Sequence, residues 1–204
     1  MKQRLLGSLA VSEIGFGTMS FASVYGASPD RAEAIRVIRG AHDLGVTLFD
    51  TAEAYGPWTN EELVGEALRP IRDQVVIATK FGFDIDPVTG QRRPGLNSRP
   101  EHMRQVVDAS LKRLGTDYLD LFYMHRFDPK VPIADSLGAM ERAIAAGKIG
   151  CYGVSEWSAA HIREAHSILP MAAVQTEYSL WTRNVELGVL DTTRELGIAF
   201  VAFS

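Results

Sequence analysis

Residue types suited to acid–base chemistry occur at four ordered positions in the first two-thirds of the chain: Asp50, Tyr55, Lys80 and His125. Three of them end apolar, strand-like runs, which are Val46 to Phe49, Val75 to Thr79 and Leu119 to Met124. Tyr55 lies in the loop that must follow the first of these runs. The carboxyl ends of parallel strands point toward one mouth of a barrel, where catalytic groups of such folds lie. Because titratable side chains are rare at the end of a buried strand unless they have a partner or a function, this pattern predicts an active site.

The four residue types together fit the reduction of a carbonyl group. Neighbouring strands are about 4.8 Å apart, so Asp50 can hold the Lys80 ammonium, which in turn favours the phenolate form of Tyr55. At ~4 Å and an effective dielectric constant of ~20, such a charge pair amounts to at most ~4 kcal/mol. We expect it to bring the pKa of Tyr55 from its usual value of ~10 toward neutrality, so that the phenol acts as a general acid. His125 can orient the carbonyl oxygen, and a nicotinamide cofactor must supply the hydride because no protein side chain can donate one.

Composition and charge describe an ordinary globular protein and exclude several classes. The chain has 204 residues, 46% of them hydrophobic and 23% charged, and its formal net charge is -4 with a sequence pI of about 5.7. This balance gives no electrostatic attraction to nucleic acid or to anionic membranes, and no run of residues is long and apolar enough to cross a bilayer. The start of the chain lacks the apolar stretch of a secretion signal, and Cys151 is the only cysteine. We therefore expect a reducing compartment and a cytoplasmic location.

Short β-rich runs alternate with amphipathic helical stretches along the whole chain. The predicted strands are Ser12 to Met19, Val46 to Asp50, Val75 to Lys80, Leu119 to His125, Ile149 to Ser155, Ala172 to Glu177 and Ile198 to Ser204. The predicted helices are Pro29 to Leu44, Asn60 to Leu68, Pro100 to Leu114, Ile133 to Ala146, Ser158 to Ile168 and Val185 to Leu196. Glycines such as Gly115 and Gly197 follow the helical patterns and are typical stop signals. This rhythm predicts βαβ units and a parallel sheet, preceded by a hairpin over Arg4 to Val11 that turns at Gly7-Ser8 and closes the barrel floor.

Two parallel architectures are compatible with this rhythm. A doubly wound nucleotide-binding fold needs a glycine-rich phosphate turn after its first strand, and the nearest candidate, Gly15-Phe16-Gly17, lacks the third glycine. A (β/α)8 TIM barrel needs no such turn, and we predict this α/β fold for residues 1–204 as a single domain. Such barrels usually take about 250 residues, and the chain ends on the seventh predicted strand at Phe203-Ser204. Because two open sheet edges are normally avoided, we expect an N-terminal β-hairpin followed by a barrel truncated after strand seven.

Motifs carried by these elements resemble those of the aldo-keto reductase superfamily. The matching segments span nearly the whole chain in order: Ile14 to Met19, Leu48 to Gly56, Ala78 to Lys80, Tyr118 to His125, Ile149 to Ser155, Gln175 to Leu180 and Ala202 to Ser204. The resemblance implies a barrel enzyme that reduces aldehydes or ketones to alcohols by hydride transfer from NADPH. It also implies a catalytic tetrad, with the tyrosine as proton donor, made of Asp50, Tyr55, Lys80 and His125.

The same resemblance implies a set of cofactor contacts at or beside strand ends: Thr18, Met19, Asp50, Ser155, Glu156, Gln175, Phe203 and Ser204. Ser155 and Gln175 match residues that bond the nicotinamide carboxamide. Phe203 stands where an aromatic ring stacks on the nicotinamide, and Ser204 stands where a serine meets the cofactor phosphates. Glu156 replaces an asparagine found in many members, and a carboxylate can still accept a bond from an amide nitrogen. A preference for NADPH is implied by kinship and by no residue of this chain.

Other interpretations stay open for the same residues. Lys80 and Asp50 can form a structural ion pair without catalysis, and His125 can be a buried histidine with satisfied hydrogen bonds. The barrel can also serve as a non-catalytic, cofactor-sensing regulatory subunit, as the potassium-channel β subunits of this superfamily do. No cysteine–histidine cluster suggests a metal site. The expected partner is a small-molecule carbonyl substrate, and both a monomer and a homo-oligomer are compatible with the sequence.

Bulky side chains follow several predicted strand ends: Trp58, Phe81, Phe83, Arg126, Trp157 and Trp181. Loops at this end of a barrel shape substrate pockets, so an aromatic-rich mouth favours apolar or aromatic carbonyl compounds. Packing of the same rings against the rim for stability alone is an equal alternative. The charged run Asp84 to Arg99 is interpreted as a solvated loop that borders the site at most.

Overall fold

Strands and helices alternate along most of the described chain, with a strand hairpin at the start and another after the third strand of the main sheet. A computed structural model of the protein describes residues 1–22, 26 and 28–204. The strands are β1 (Gln3–Leu6), β2 (Leu9–Ser12), β3 (Phe16–Gly17), β4 (Leu48–Asp50), β5 (Val76–Phe81), β6 (Phe83–Ile85), β7 (Arg92–Leu96), β8 (Leu119–Met124), β9 (Ile149–Ser155), β10 (Ala173–Glu177) and β11 (Ala199–Phe203). The α-helices are α1 (Arg31–Asp43), α2 (Thr59–Leu68), α3 (Pro100–Leu114), α4 (Ile133–Ala145), α5 (Ala159–Ile168) and α6 (Val189–Leu196). Short 3-10 helices cover Met19–Ala22, Arg69–Gln74 and Asn184–Leu187.

The hairpin of β1 and β2 opens the chain and packs on the inner face of the main sheet. The two strands pair antiparallel, and Gly7 at the turn has a φ of +59°, a conformation that glycine adopts without strain. Leu6 and Val11 are buried in a cluster with inward-facing residues of the main sheet. A Cβ atom at Gly7 would lie 3.0 Å from the side chain of Ala172, which directly precedes β10. The predicted hairpin is confirmed, and it closes the end of the barrel where the strands begin.

In the described part of the chain, seven strands form one parallel sheet. Their order is β11-β10-β9-β8-β5-β4-β3, and every adjacent pair is parallel. Among the described residues, β3 pairs only with β4 and β11 pairs only with β10, so the sheet has two free edges. None of the described helices is long and apolar enough to cross a membrane.

A hydrogen bond across the sheet shows how strongly it curls. Gln175 of β10 donates from Nε2 to Oδ2 of Asp50 on β4 at 2.9 Å. These strands are separated by three others in the sheet order, and in a flat sheet four strand spacings amount to about 19 Å. The sheet is therefore an open barrel, which confirms the predicted parallel α/β barrel architecture.

Both faces of the sheet are buried. On β8, Phe122 and Met124 point outward into a large apolar cluster with helix residues such as Met103 of α3. Leu121 and Tyr123 of the same strand point inward and pack with the hairpin. Alternation of this kind, with apolar residues on both faces, is typical of a parallel strand covered by helices outside and closed within.

The first barrel strand is shorter than predicted. Only Phe16–Gly17 form β3, whereas the sequence indicated a strand over Ser12 to Met19. Ser12 instead pairs with Gln3 in the hairpin, and Met19 begins a 3-10 helix. One continuous apolar pattern runs through the hairpin and β3, so it does not mark where one element ends and the next begins.

The last predicted helix, Val185 to Leu196, is broken in two. A 3-10 helix ends at Leu187, and α6 begins at Val189. The break lies at Gly188, which is consistent with the low helix propensity of glycine. The other predicted helices are present with ends that agree to within two residues.

The charged run Asp84 to Arg99 forms a hairpin rather than a solvated loop. Strands β6 and β7 pair antiparallel, and Asp86 Oδ1 at the turn accepts the N–H of Thr89 at 2.9 Å. Phe83 and Ile85 are only 6% exposed each. The sequence pattern did not predict this hairpin because charged residues dominate the run, whereas the side chains that pack against the barrel are the two apolar residues Phe83 and Ile85.

Candidate active site

The ends of three adjacent strands hold the predicted catalytic residues. Asp50 is the last residue of β4, Lys80 is the penultimate residue of β5, and His125 directly follows β8. Tyr55 lies in the loop between β4 and α2. Because the three strands are parallel neighbours, all four side chains meet at one end of the barrel.

The Lys80 ammonium is the centre of a hydrogen-bond network. It forms an ion pair with Asp50 Oδ1, donates to the carbonyl oxygen of Thr51 at 2.9 Å, and lies 3.4 Å from the Tyr55 hydroxyl. Lys80 is 1% exposed, so an unpaired charge at this point would be strongly unfavourable. Burial lowers the pKa of Lys80, but the attraction of Asp50 and Tyr55 outweighs burial and the net pKa is raised. The ammonium is therefore a permanent positive charge beside the phenol.

The pKa of Tyr55 moves in the direction opposite to our expectation. Burial raises the pKa of the phenol, the Lys80 ammonium lowers it and the Asp50 carboxylate raises it, and the net pKa lies above the ordinary value. Lys80 acts with the predicted sign, but the desolvation of a phenolate outweighs it. The predicted shift toward neutrality is therefore wrong. A raised pKa keeps the phenol protonated at neutral pH, which is the form that a proton donor needs.

His125 is a neutral imidazole at physiological pH. Burial lowers its pKa well below the ordinary value, and the positive charges of Lys80, Arg126 and Arg92 lower it further. Its ring lies edge-on to the Tyr55 ring with 5.9 Å between the centroids. Nδ1 is buried and has no hydrogen-bond partner among the described residues. A neutral imidazole offers one donor and one acceptor, so His125 can bond a carbonyl oxygen next to the Tyr55 hydroxyl.

Asn60 supports the site from below, a role that the sequence did not reveal. Its Oδ1 lies 2.5 Å from the Thr18 hydroxyl and 2.7 Å from the Thr51 hydroxyl, and its Nδ2 donates to the Thr18 carbonyl oxygen at 2.9 Å. The Thr18 hydroxyl also lies 2.9 Å from the Asp50 carbonyl oxygen. Asn60 is 2% exposed and joins the first strand to the β4–α2 loop. The only signal in the sequence was a polar residue in the first turn of α2. The helical pattern by itself predicts that such a residue lies on the surface.

A cleft of about 610 Å³ opens above the four residues. Its lining comes from several strand ends and includes Gly15, Gly17, Met19, Ser20, Leu48, Asp50, Tyr55, His125, Arg126, Ser155, Gln175, Tyr178, Val201, Ala202, Phe203 and Ser204. The catalytic tyrosine and histidine predicted from the sequence therefore face the same space as most of the predicted cofactor contacts. Lys80 lies just beneath, within reach of the Tyr55 hydroxyl.

The groups around this cleft suit a nicotinamide ring and its carboxamide. Gln175 uses Nε2 to bond Asp50, which leaves its carbonyl oxygen to accept from an amide. The Ser155 hydroxyl, on a residue that is 1% exposed, lies 3.3 Å from Arg126 Nη1 and borders the same space. Phe203 is 39% exposed and offers an apolar ring at the cleft wall. The residues present thus fit the group that the sequence motifs imply.

Two predicted cofactor residues do not line the cleft. Thr18 is fully buried in the Asn60 network. Glu156 is exposed, has a φ of +60°, and accepts the N–H of Glu177 with its carboxylate at 2.7 Å. Both side chains therefore act on the backbone around the cleft.

The described part of the chain contains no set of side chains suited to bind a metal ion. Groups of three or more His, Cys, Asp or Glu side chains close enough to hold an ion do not occur there. Cys151, inside β9, is partly buried, and burial raises the pKa of its thiol to about 11. The thiol therefore stays protonated at neutral pH and is a poor nucleophile.

Comparisons with known proteins agree with this geometry. The family model described as the aldo/keto reductase family matches residues 13–204. A protein named probable aldo-keto reductase 1, from Glycine max, is 42% identical over 195 residues, which are 95% of this chain and 56% of that protein. The chain thus spans little more than half the length of this curated relative.

Two solved structures share the fold along nearly the whole chain. The aldo-keto reductase AKR11C1 from Bacillus halodurans, in its holo form, has a TM-score of 0.89 and 31% identity, covering 99% of this chain and 65% of that one. The glycerol dehydrogenase AKR11B4 from Gluconobacter oxydans has a TM-score of 0.87 and 30% identity, covering 98% of this chain and 62% of that one. Strand order, site geometry and these similarities lead to one conclusion. The chain belongs to the aldo-keto reductase family.

Proposed function

We propose that this chain carries the catalytic site of an NADPH-dependent reductase of aldehydes or ketones. One observation carries the proposal: the Tyr55 hydroxyl borders the cleft and lies 3.4 Å from a buried lysine that is itself paired with Asp50. If the Lys80–Asp50 ion pair had only a structural role, it would not require the Tyr55 hydroxyl between Lys80 and the cleft. The membership of the chain in the aldo-keto reductase family supports an oxidoreductase of this kind.

The residues of the site divide the chemistry among them. Tyr55 holds the proton that the carbonyl oxygen receives, and Lys80 stabilises the phenolate left behind because its ammonium lies beside it. Asp50 keeps that ammonium in place. His125 is neutral and bonds the carbonyl oxygen, which orients the substrate. NADPH supplies the hydride to the carbonyl carbon when it is bound.

Ser155 and Gln175 are proposed to hold the carboxamide of the nicotinamide, with Phe203 against its ring and Met19 and Ser204 near the cofactor. The choice of NADPH over NADH rests on family kinship. A small carbonyl compound is the proposed partner, and the single cysteine supports a cytoplasmic location.

Exchange of Tyr55→Phe tests the proposal in the full-length protein. Removal of a general acid lowers turnover by roughly 10²- to 10⁴-fold, so kcat with a reactive aromatic aldehyde should fall that far while NADPH affinity, measured by fluorescence titration, changes little. Tyr118→Phe is the matched control, because this tyrosine precedes β8 at the opposite end of the barrel.

The assignment would be contradicted by a Tyr55→Phe variant that keeps its turnover. Tight NADPH binding by the unchanged protein, without turnover on any reactive aldehyde, would favour the regulatory subunit instead.

A further inference from the structure

Two arginines lie close to His125, Arg126 in the lining of the cleft and Arg92 on the exposed hairpin beside it. Arg126 directly follows the histidine, lines the cleft, donates from Nη1 to the His125 carbonyl oxygen at 2.6 Å, and lies 3.3 Å from Ser155 Oγ. Arg92 comes from β7, more than thirty residues earlier in the chain. Both positive charges act on the imidazole, since each lowers the pKa of His125.

The Arg92 guanidinium is held by stacking rather than by an ion pair. Its Cζ lies 3.4 Å from the centroid of the Phe83 ring, and the Phe83 ring lies 4.6 Å from the His125 ring. The Phe83 ring thus lies between the two groups, in cation–π contact with the guanidinium and tilted by 58° to the imidazole. Stacking fixes the plane of the guanidinium and leaves its N–H groups free to bond a ligand.

Neither arginine has an acidic partner in the described part of the chain. The neighbouring Arg93, on the other face of the strand, takes the acids of this hairpin, with Asp86 at 2.5 Å and Asp84 at 3.9 Å. Burial lowers the pKa of Arg92, and the like charge of Arg126 lowers it further. Both cations lie near His125 without an acidic partner among the described residues, so an anion bound between them would be stabilised by both charges.

The hairpin that carries Arg92 is fastened to the rim of the barrel. A Cβ atom at Gly90, in its turn, would lie 3.3 Å from the Trp58 ring. At the other end, the N–H of Asn97 donates to the Gly82 carbonyl oxygen at 2.8 Å. These contacts therefore fix the hairpin, and with it the backbone position of Arg92, relative to the barrel.

We propose that Arg92 and Arg126 form an oxyanion subsite that selects carbonyl substrates bearing a carboxylate or phosphate group. The proposal rests on the reductase function proposed above and names its substrate class. The carbonyl lies at Tyr55 and His125, and the anionic end lies toward the two guanidinium groups. Arginine forks match the geometry of carboxylate and phosphate oxygens. Phe83, one of the bulky residues that follow a predicted strand end, serves here as the platform for the Arg92 charge.

A set of matched aldehydes tests the substrate class in the full-length protein with NADPH. The probes are 4-formylbenzoate, 4-formylphenyl phosphate and the neutral methyl 4-formylbenzoate. We expect kcat/KM to be roughly tenfold or more higher for at least one anionic probe than for the ester, as a charge-assisted hydrogen bond allows. A preference for the benzoate or for the phosphate identifies the anion, whereas equal values for all three probes overturn the subsite.

Single amino-acid substitutions show which arginine is responsible for the preference for anionic substrates. Arg92→Gln and Arg126→Gln should each lower the ratio of kcat/KM for the preferred anion over the ester by roughly tenfold, and Arg92→Lys should retain part of it. Arg93→Gln is the matched control, because it removes the same charge from the next residue of β7, where that charge is already paired. An unchanged ratio in both Arg92→Gln and Arg126→Gln overturns the proposal.

A binding measurement separates this proposal from the reductase function. In a Tyr55→Phe background, isothermal titration with 4-formylbenzoate and 4-formylphenyl phosphate reports the subsite without turnover. Binding of either anion that weakens roughly tenfold with Arg92→Gln supports the subsite even if the protein reduces no aldehyde. Turnover without any arginine-dependent preference contradicts the subsite and leaves the reductase intact.

Discussion

The burial of Lys80 explains why the site is arranged as it is. A fully buried ammonium needs charged or strongly polar partners on most sides, and Asp50, the Thr51 carbonyl oxygen and Tyr55 fill that role. The same burial encloses the Tyr55 phenol, which raises its pKa. A protonated phenol and a cation that can stabilise its phenolate therefore arise from one packing arrangement.

Glu53 is a second buried titratable residue, two positions before Tyr55. It is 2% exposed, and its Oε1 accepts the Gly82 N–H at 3.2 Å and lies 3.9 Å from His102 Nε2. Burial raises the pKa of Glu53 to about 8, and burial lowers the pKa of His102. Both side chains are thus neutral at pH 7.

The protonation of Glu53 predicts how stability depends on pH. In the unfolded chain a glutamate titrates near 4.3, so between about pH 4.5 and 8 the folded state binds the extra proton and stability falls as pH rises. Above about pH 8 Glu53 is ionised in both the folded and the unfolded state, and its titration no longer changes the stability. Each unit by which folding raises the pKa of Glu53 corresponds to about 1.4 kcal/mol of stability lost over this pH range. Glu53→Gln should flatten this slope and raise the free energy of unfolding at pH 8.5 relative to the unchanged protein, as measured by urea denaturation at pH 5, 7 and 8.5.

The control for this experiment is Glu62→Gln, which removes an exposed glutamate from α2. It should leave the pH dependence of stability unchanged. An identical slope in Glu53→Gln and in the unchanged protein would show that Glu53 is ionised in the folded state.

At the scale of the elements, α2 and α3 meet closely at a glycine. A Cβ atom at Gly65 would lie 2.5 Å from the carbonyl oxygen of Leu114 and 2.7 Å from its Cα. Beside this contact, Arg113 of α3 forms an ion pair with Glu61 of α2 at 2.6 Å, and Glu61 is fully buried. Because α2 directly follows the loop that carries Tyr55, its packing on α3 helps to fix the end of that loop.

Gly65→Ala should therefore destabilise the fold. The added methyl group meets backbone atoms, so the helices must separate, and overpacking of this kind typically costs about 1–3 kcal/mol. Gly40→Ala is the matched control, because a Cβ atom at this helical glycine meets nothing within 4 Å. It should stabilise the protein by about 0.4–1 kcal/mol.

Chemical denaturation of both variants measures the difference. A Gly65→Ala variant as stable as Gly40→Ala would mean that α2 and α3 can move apart freely, and the close approach of these helices would then have no role in placing the site.

At the scale of the whole molecule, the open sheet is the dominant feature. Strands β3 and β11 have free edges within the described residues, and large apolar side chains beyond β10 are exposed, Leu180 at 98% and Trp181 at 95%. Unpaired edges are templates for pairing with another chain.

We therefore expect residues 1–204, expressed alone, to self-associate. Sedimentation velocity should show species larger than the 22.4 kDa chain, with a share that grows with concentration. Ala202→Lys places a charge on the exposed edge strand β11 and should reduce the association, since lysine blocks edge pairing. A monomer at all concentrations, with cooperative unfolding, would contradict the expectation.

The sequence by itself determined the order of strands and helices and the positions of the four central residues. Both depend on neighbours in the chain, through hydrophobic period, glycine stop signals and motif spacing. The α3 helix and β9 were predicted with the bounds that the structure shows. The meeting of Asp50, Lys80 and His125 likewise follows from strand ends, because parallel strands bring their carboxyl ends together.

Only the tertiary structure decided the features that depend on burial and on distant partners. The direction of the Tyr55 pKa follows from how deeply the phenol is enclosed, which no local pattern reports. Asn60 under Thr18 and the Arg92 stack beside Arg126 join residues more than thirty positions apart. The hairpin of β6 and β7 was missed because its charges mask two buried side chains. Contacts between distant segments are chosen by packing of the whole chain, and so they become visible only in the folded molecule.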